Sequence, residues 1–262
     1  MNLRIAMVQT RLHWQDTMAN LESLSERLST ISGRVDMIVL PEMFSTGFSM
    51  DTQHAEEMEG LAMQWMLSKA VKYKAVVCGS LMMHEEGRFY NRFIWQNPDG
   101  SYEFYDKRHL FRMAGENHHY TAGTEKRIIR LGEWKICPLI CYDLRFPVWS
   151  RNRIVNGSPE YDLLVYVANW PERRASAWKT LLPARAIENQ AFVCGVNIVG
   201  RDGNEITYSG DSAIIDYLGE RISFTEKYGD RCEVVEISLE SLKNYRKAFP
   251  AMQDADEFEL LP

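Results

Sequence analysis

Short apolar runs alternate with amphipathic helical patterns in both halves of this 262-residue chain, and this alternation restricts the fold more than any other feature. The predicted strands cover residues 3–9, 36–40, 75–80, 135–140, 163–168, 192–199 and 232–237. The predicted helices cover residues 17–32, 58–73, 146–155 and 173–190. Strands that are joined through helices run parallel, and the helices cover the sheet that the strands form. The pattern therefore predicts an α/β fold.

The two halves follow each other without a low-complexity linker, so we expect a single domain over residues 1–262. A β-hairpin is expected between residues 88–96 and 101–106, on either side of a turn that contains Pro and Gly. Two sheets that face each other, with helices outside, would give a four-layer α-β-β-α sandwich. The acidic tail, about residues 248–262, has few means of packing alone and is expected to lie on a partner subunit.

Composition excludes several classes of function. The formal net charge of −6 argues against a nucleic-acid-binding protein, because phosphate binding needs a basic surface. The apolar runs are too short to span a bilayer, and the first residues lack the pattern of a signal peptide. The five cysteines are odd in number and none forms a C-x-x-C pair, which favours reduced thiols over a disulfide framework. We therefore expect a cytoplasmic protein with neither a nucleic-acid nor a membrane partner.

One of these cysteines lies on a predicted strand-to-helix turn. In residues 138–147, PLICYDLRFP, an apolar run ends at Cys141 and Pro147 opens the next predicted helix. A side chain on such a turn stands clear of the sheet, as the serine of a nucleophile elbow does. A free thiol has a pKa of about 8.5 and reacts as the thiolate. Cys141 therefore needs a base or a positive charge nearby to act as a nucleophile.

Three further ionisable residues can meet Cys141 although they are distant in sequence. Glu42 follows the second predicted strand, Lys107 follows the hairpin, and Glu116 lies in a polar loop, residues 110–124. Ligands of open α/β sheets gather at the carboxyl ends of the strands. The positions of these residues along the chain therefore predict a common site.

Together these residues can support acyl transfer through a thioester. Glu42 would take the thiol proton and later activate water, whereas Lys107 would stabilise both the oxyanion and the thiolate of Cys141. The backbone N–H of Tyr142 would be the second oxyanion donor. Glu116 would hold Glu42 and the leaving amine in register, and a second carboxylate nearby would raise the pKa of one of the two glutamates.

Three blocks, in this order, resemble the signature blocks of the nitrilase (carbon–nitrogen hydrolase) superfamily. They are residues 40–44 (LPEMF), 105–111 (YDKRHLF) and 140–147 (ICYDLRFP). The resemblance implies that Glu42 is the general base, Lys107 the oxyanion stabiliser and Cys141 the nucleophile. Glu116 matches the additional active-site glutamate of the family. The resemblance also implies the α-β-β-α sandwich and burial against a second subunit, as in a homodimer.

Two further blocks, residues 43–48 and 167–174, are similar to the omega-amidase branch of the superfamily. This resemblance implies hydrolysis of the terminal amide of 2-oxo dicarboxylic acid monoamides, such as 2-oxoglutaramate and 2-oxosuccinamate. The expected partner is therefore a small-molecule amide that also carries a carboxylate.

The substrate carboxylate should meet a guanidinium or backbone N–H groups. Arg173 lies at the start of a predicted helix, where anions are favoured, and we expect it to bind this carboxylate. Arg145 is a second candidate, although an ion pair with the local acidic residues is its preferred role. The other candidate substrate-binding residues are Tyr142, Phe44, Asn169 and Trp170. Four aromatic residues could line a pocket or pack in the core, and the sequence favours neither role; they are Phe44, Phe48, Trp170 and Trp178.

Other functions fit parts of the pattern. The same residues could attack a nitrile, and other branches of the superfamily act on carbamoyl groups or on different amides. A papain-like cysteine–histidine hydrolase is disfavoured because His109 is too close in sequence to Lys107. A catalytically inactive binding module is disfavoured because the proposed base, oxyanion stabiliser and nucleophile are all present.

The remaining metal-ligating residue types do not form a predicted site. His118 and His119 have no companion ligand at a zinc-like spacing, so we expect neither a metal nor a cofactor. The other four cysteines lie in apolar strands and are expected in the core; they are Cys78, Cys137, Cys194 and Cys232.

Overall fold

A computed structural model describes residues 1–260, which form fifteen strands and six α-helices. The strands are β1 (Asn2–Gln9), β2 (Met37–Val39), β3 (Val76–Glu85), β4 (Arg88–Gln96), β5 (Tyr102–Asp106), β6 (Ile129–Leu131), β7 (Trp134–Ile140), β8 (Ile154–Val155), β9 (Ser158–Pro159), β10 (Leu163–Val167), β11 (Phe192–Val196), β12 (Val199–Arg201), β13 (Thr207–Ser209), β14 (Ala213–Ile215) and β15 (Arg231–Ser238). The helices are α1 (Thr17–Ser29), α2 (Leu61–Tyr73), α3 (Glu116–His119), α4 (Pro147–Ser150), α5 (Ala175–Asn189) and α6 (Leu239–Ala248).

Two large sheets carry the fold. The first has the strand order β15-β1-β2-β3-β4-β5, and the second has the order β14-β11-β10-β7-β6. Strands β1, β2 and β3 are parallel, as are β7, β10 and β11. Both β4 and β5 pair antiparallel, so β5 again runs in the direction of β2. The carboxyl ends of β2 and β5 therefore lie at the same edge of the first sheet.

Alternation along β1 shows how the layers are separated. Ile5 and Met7 belong to the core that also contains the strands of the second sheet. Ala6 and Val8 belong to a separate core that contains the buried faces of α1 and α2. Successive residues of a strand point to opposite faces, so one face of this sheet meets helices and the other meets a sheet. The predicted four-layer α-β-β-α sandwich is thus confirmed.

Helix α1 begins and packs as the sequence predicts. The side chain of Asp16 accepts a hydrogen bond from the Ala19 N–H at 3.0 Å, which caps the first turn. Leu21, Leu24 and Leu28 are buried on one face of the helix against the first sheet. On the far side of the molecule, α5 packs on the second sheet at Gly195, where a Cβ would lie only 2.7 Å from a methyl group of Leu182.

Several predicted elements are wrong in extent. The helix predicted over residues 146–155 ends at Ser150, because Asn156 and Gly157 both have positive φ angles and turn the chain into the hairpin β8–β9. The helix predicted from residue 173 begins at Ala175, after a 3-10 turn over Glu172–Arg174. The helix α6 was not predicted; it buries Leu239 and Leu242 against the core between the sheets.

The end of the described chain lies on its own fold at two points. The amide group of Gln190 donates to the carbonyl of Phe249 at 2.8 Å, and Met252 is buried. Residues 261 and 262 of the predicted tail lie outside the described part of the chain. Among the helices that are described, none combines the length and the apolar character that crossing a membrane requires.

The four cysteines predicted to lie in the core differ in burial. Cys78, Cys137 and Cys194 are buried as predicted, whereas Cys232 on β15 is only partly buried.

Candidate active site

The candidate catalytic residues follow strands whose carboxyl ends point to one place. Glu42 lies three residues after β2, Lys107 follows β5 directly, and Cys141 follows β7 directly. Asn169 lies just beyond the end of β10 in the second sheet. Because the two sheets face each other with these ends adjacent, side chains from both meet, as the sequence predicts.

A buried ion cluster joins Glu42, Lys107 and Glu116. The Nζ of Lys107 donates to Oε1 of Glu42 at 2.9 Å and to both carboxylate oxygens of Glu116 at 3.0 Å. All three side chains are fully buried. Burial alone would lower the pKa of Lys107, but the charges of Glu116 and Glu42 outweigh it and raise the pKa of Lys107 well above its usual range. Lys107 is therefore a permanent ammonium ion.

Glu42 is held by donors on both of its carboxylate oxygens. Besides Lys107, Oε1 accepts a hydrogen bond from the side-chain amide of Asn91 at 2.8 Å. Oε2 accepts the backbone N–H of Asn169 at 2.7 Å, and the Asn169 side chain donates to the backbone carbonyl of Glu42 at 2.5 Å. Asn169, expected to bind substrate, thus holds Glu42 in position, although it also lines the cavity described below.

Glu116 ties the loop over residues 110–124 to the site. It is the first residue of α3, and its Oε2 accepts the backbone N–H of Phe111 at 2.5 Å. Burial raises the pKa of Glu116, the attraction of Lys107 acts against this, and the charge of Glu42 adds to the rise. The loop is therefore anchored on the same ammonium ion as Glu42.

Cys141 lies on a sharp turn at the end of β7. Its φ of 43° is in the left-handed region, which non-glycine residues rarely occupy. Burial raises the pKa of the Cys141 thiol, and the charge of Glu42 and a hydrogen bond with Glu42 raise it further, while Lys107 opposes this without reversing it. Cys141 therefore lies beside a carboxylate in surroundings that favour its thiol over the thiolate.

Asp143 holds this turn in place. Its buried carboxylate accepts hydrogen bonds from the Ile140 N–H at 3.0 Å and from the Tyr105 hydroxyl at 2.8 Å. It also accepts the backbone N–H of His109 at 3.0 Å and contacts the His109 Nδ1 at 2.8 Å. The His109 ring stacks on Phe146 with 3.7 Å between centroids. His109 thus supports the turn, and this arrangement does not favour a cysteine–histidine pair.

A cavity of about 540 Å³ opens onto Cys141 and Tyr142. Its walls include aromatic side chains from four loops and from β13, namely Trp14, Phe48, Phe111, Trp170 and Tyr208. Phe48 also lies below the Lys107 ammonium, which is 5.1 Å from the ring centroid. The cavity is therefore suited to a small organic molecule whose reacting carbon lies at the sulfur.

Three arginines line the same cavity. The guanidinium of Arg145 lies 4.9 Å from the Trp170 ring centroid, and that of Arg174 lies 4.9 Å from the Phe111 ring centroid. Arg173 is exposed at the rim, whereas Arg145 and Arg174 are partly buried. No carboxylate oxygen of residues 1–260 lies within 4.0 Å of these guanidinium groups. The ion pair expected for Arg145 is therefore wrong, because the side chain stacks on Trp170 instead.

The positive charges of this cluster act on one another. Burial lowers the pKa of Arg174, the charges of Arg173 and Arg145 lower it further, and a thiolate at Cys141 would act in the opposite direction. An anion bound among these arginines would relieve their mutual repulsion. The cluster therefore favours a negatively charged ligand group.

Two other aromatic residues predicted as possible pocket lining belong to the core. Phe44 is fully buried and packs on Trp65 with 5.9 Å between ring centroids, so it does not bind substrate. Trp178 is fully buried on α5. Residues 1–260 contain no group of three His, Cys, Asp or Glu side chains placed to bind a metal, including around His118 and His119.

Sequence reasoning missed Asn91, Asp143 and Arg174. Asn91 lies inside a strand, so its position at the site depends on the register of the sheet. Asp143 and Arg174 stand beside residues that were predicted, and no pattern in the sequence separates them from their neighbours. The one signal in the sequence is an Asn in the middle of a predicted strand, between Tyr90 and Arg92.

Comparison with known proteins identifies the family of this chain. Residues 4–247 match the family model described as carbon-nitrogen hydrolase. The chain is 48% identical over 258 residues to omega-amidase YafV of Escherichia coli K12, covering 98% of each chain. It is 31% identical to 2-oxoglutaramate amidase of Bacillus subtilis, covering 97% of this chain and 98% of that protein.

A solved structure shows the same fold at substantial sequence identity. XC1258 from Xanthomonas campestris, described as a CN-hydrolase superfamily protein with an arsenic adduct in the active site, superposes with a TM-score of 0.97. The two are 43% identical and the match covers 99% of each chain. By its family match, its relatives and its fold, the chain belongs to the carbon–nitrogen hydrolase family.

Proposed function

We propose that this protein is a cysteine-dependent amidase that hydrolyses the terminal amide of 2-oxo dicarboxylic acid monoamides, such as 2-oxoglutaramate and 2-oxosuccinamate, to the 2-oxo acid and ammonia. The observation that carries the proposal is the position of Cys141 beside the buried Glu42–Lys107–Glu116 cluster. The cavity over the thiol also contains arginines without acidic partners in the described chain, which suits a substrate with a carboxylate. Relatives named omega-amidase and 2-oxoglutaramate amidase support this substrate class.

The first half of the reaction forms a thioester. Glu42 takes the thiol proton as the sulfur of Cys141 attacks the amide carbon, and the carbonyl oxygen becomes an oxyanion. Lys107 and the backbone N–H of Tyr142 stabilise this oxyanion. When the carbon–nitrogen bond breaks, Glu42 returns the proton to the nitrogen, and ammonia leaves.

The second half hydrolyses the thioester. Glu42 takes a proton from water, whose oxygen attacks the thioester carbon, and the same oxyanion site stabilises the intermediate. The carbon–sulfur bond then breaks, and the sulfur of Cys141 recovers its proton from Glu42. Glu116 exchanges no proton in this sequence and holds Lys107 in position between the two carboxylates. No cofactor takes part in this sequence.

Recognition of the substrate carboxylate is assigned to the arginine cluster. Arg174 is partly buried and is held against Phe111, and its backbone carbonyl accepts the indole N–H of Trp170 at 2.8 Å. Arg173 is exposed at the rim, where solvent weakens its interaction with an anion. We therefore extend the sequence-based assignment from Arg173 to Arg174, with Arg145 as a further donor.

We also infer that residues 1–262 form one domain and that the protein is a cytoplasmic homodimer. Five cysteines without a disulfide support a reducing compartment. Val148, Ile154 and Val155 are 52%, 41% and 43% exposed, and Phe258 from the tail lines the same surface depressions. A clustered exposed apolar surface of this kind supports a subunit contact.

The function is tested by ammonia release from a panel of 2-oxoglutaramate, 2-oxosuccinamate, uncharged amides and an aliphatic nitrile. We expect the two 2-oxo acid amides to give the highest kcat/KM, because they match both the thiol chemistry and the arginines. Cys141→Ala should remove the activity, and Cys78→Ala, in the core, serves as the matched cysteine control. A preference for the nitrile, or no release from either 2-oxo acid amide, would assign the protein to another branch of the family.

The variant Glu42→Gln distinguishes two effects of Glu42, namely its charge, which acts on the pKa of the Cys141 thiol, and its role as general base. Because the negative charge of Glu42 helps to raise the pKa of the Cys141 thiol, its removal should lower that pKa while Lys107 remains. At neutral pH the variant should thus carry more thiolate than the wild type, yet hydrolyse amides roughly 10²- to 10⁴-fold more slowly, since the general base is lost. Titration of the thiolate ultraviolet absorbance, with Cys141→Ala as the blank, measures the pKa. An unchanged or higher thiol pKa would contradict this division of roles.

Arg174→Ala should raise KM for 2-oxoglutaramate by roughly tenfold or more, because a hydrogen bond to a charged group contributes about 1.5–3 kcal/mol. KM for pentanamide, which has no carboxylate, should change far less. Arg173→Ala should also raise KM for 2-oxoglutaramate more than KM for pentanamide, but by a smaller factor. Arg201→Ala, an exposed arginine outside the cavity, is the control for lost surface charge. An equal change in KM for the two substrates would show that Arg174 does not bind the substrate carboxylate.

Val148→Asp combined with Ile154→Asp should shift the protein from dimer to monomer in sedimentation velocity, because two charges would be buried in the proposed contact. Met18→Asp, on the exposed face of α1, is the control and should leave the dimer intact. A wild-type protein that sediments as a monomer would contradict the homodimer.

A further inference from the structure

Asn91 is a buried polar residue that touches both active-site glutamates. It lies on β4 opposite Met82 of β3, and its backbone carbonyl accepts the Lys107 N–H at 3.0 Å. Its side chain is fully buried and does not line the cavity over Cys141. Asn91 therefore contacts the two glutamates without itself facing the cavity.

The orientation of the Asn91 amide is fixed by a chain of hydrogen bonds. The backbone N–H of Met43 donates to the Ser80 hydroxyl oxygen at 2.9 Å, and that hydroxyl donates to Oδ1 of Asn91 at 2.8 Å. The NH₂ group of Asn91 therefore faces the carboxylates, where it donates to Oε1 of Glu42 at 2.8 Å and to Oε1 of Glu116 at 3.2 Å. The reversed amide would place its oxygen against two carboxylate oxygens.

The two glutamates consequently differ in how many hydrogen bonds each of their carboxylate oxygens accepts. Oε1 of each accepts hydrogen bonds from both Asn91 and Lys107. Oε2 of Glu116 also accepts two, from Lys107 and from the Phe111 N–H. Oε2 of Glu42 accepts one from the described backbone, the Asn169 N–H. A carboxylate oxygen has two lone-pair positions, so Oε2 of Glu42 keeps one for a proton.

We propose that Asn91 is a positioning residue that gives the two glutamates unequal roles. Its NH₂ group donates to Oε1 of both glutamates and leaves neither of these oxygens an acceptor position for a proton. Protons are therefore exchanged only at Oε2 of Glu42. The assignment rests on the proposed amidase chemistry, in which Glu42 exchanges protons with the thiol, the leaving amine and water. Glu116 exchanges no proton with the reacting groups, because its oxygens already accept four hydrogen bonds. Without Asn91, Oε1 of either glutamate could take the proton and hold it away from the sulfur.

The experiment compares the pH dependence of kcat for Asn91→Asp and for the wild-type protein. A carboxyl at position 91 can donate a hydrogen bond only while it is protonated, and once ionised it adds a third negative charge beside Glu42 and Glu116. The ratio of variant to wild-type kcat should therefore fall by roughly tenfold or more between acid and alkaline pH, as expected for loss of a proton-transfer arrangement. A ratio that stays constant with pH would show that Asn91 is only structural and would overturn the proposal.

Two further variants test the proposal if Asn91→Asp does not fold. Asn91→Leu keeps the size of the side chain and removes the donor, so kcat should fall at every pH while KM changes little. Ser80→Ala frees the amide orientation and should lower kcat in the same way but less. If neither position-91 variant folds, full kcat in Ser80→Ala decides against the proposal. Asn152→Asp, a buried Asn that bonds Tyr161 and Asn189 away from the site, is the matched control and should show a pH-independent ratio.

The role of Asn91 can be tested even if the protein is not an amidase for 2-oxo acid amides. If the wild-type protein hydrolyses no 2-oxo acid amide, the ratio is measured instead on any amide that it does hydrolyse, and the thiolate titration of Cys141 is compared in Asn91→Asp and wild type. The ionised carboxyl at position 91 should raise the pKa of the thiol in the variant. An unchanged thiol titration together with a constant ratio would contradict the role of Asn91 whatever the substrate is.

Discussion

The rest of the site depends on one buried ammonium ion held between two buried carboxylates. Transfer of each charge from water into the protein interior costs several kcal/mol, and only close opposite charges and further hydrogen bonds offset this cost. Lys107 supplies the opposite charge for both Glu42 and Glu116. The side chain of Asn91 and two backbone N–H groups supply the remaining donors. The cluster is stable only where strand ends from both sheets meet.

The same cluster explains why Cys141 is held as a thiol. One ammonium ion faces two carboxylates, so the site already holds an excess negative charge. A thiolate at Cys141 would add another, which is why burial and Glu42 together raise the pKa of the thiol. In the proposed reaction the proton leaves only as the new bond to carbon forms, when negative charge passes from sulfur to the oxyanion beside Lys107. Glu42 next to the thiol therefore matters more than a low thiol pKa.

Strand ends made most of the fold and of the catalytic residues predictable. An apolar run that stops at Cys141 before Pro147, and another that stops before Glu42, mark both sheet edges and site residues. The helix predicted over residues 146–155 is too long because the Asn156–Gly157 turn takes precedence over the helical periodicity. Asn91 was not predictable in this way. Its contacts arise from the pairing of β3, β4 and β5, which brings residues far apart in sequence to one place.

The substrate end of the cavity follows a different physical rule from the catalytic end. Around Lys107 every charge has a partner inside the protein, whereas Arg145, Arg173 and Arg174 share a cavity wall without a carboxylate of the described chain within ion-pair distance. Such unpaired like charges destabilise the empty protein, and local rules of this kind are broken mainly at functional sites. Aromatic contacts hold Arg145 and Arg174 in place without neutralising them. A bound carboxylate would neutralise part of this charge, so the repulsion among the arginines itself favours an anionic substrate over a neutral amide of the same length.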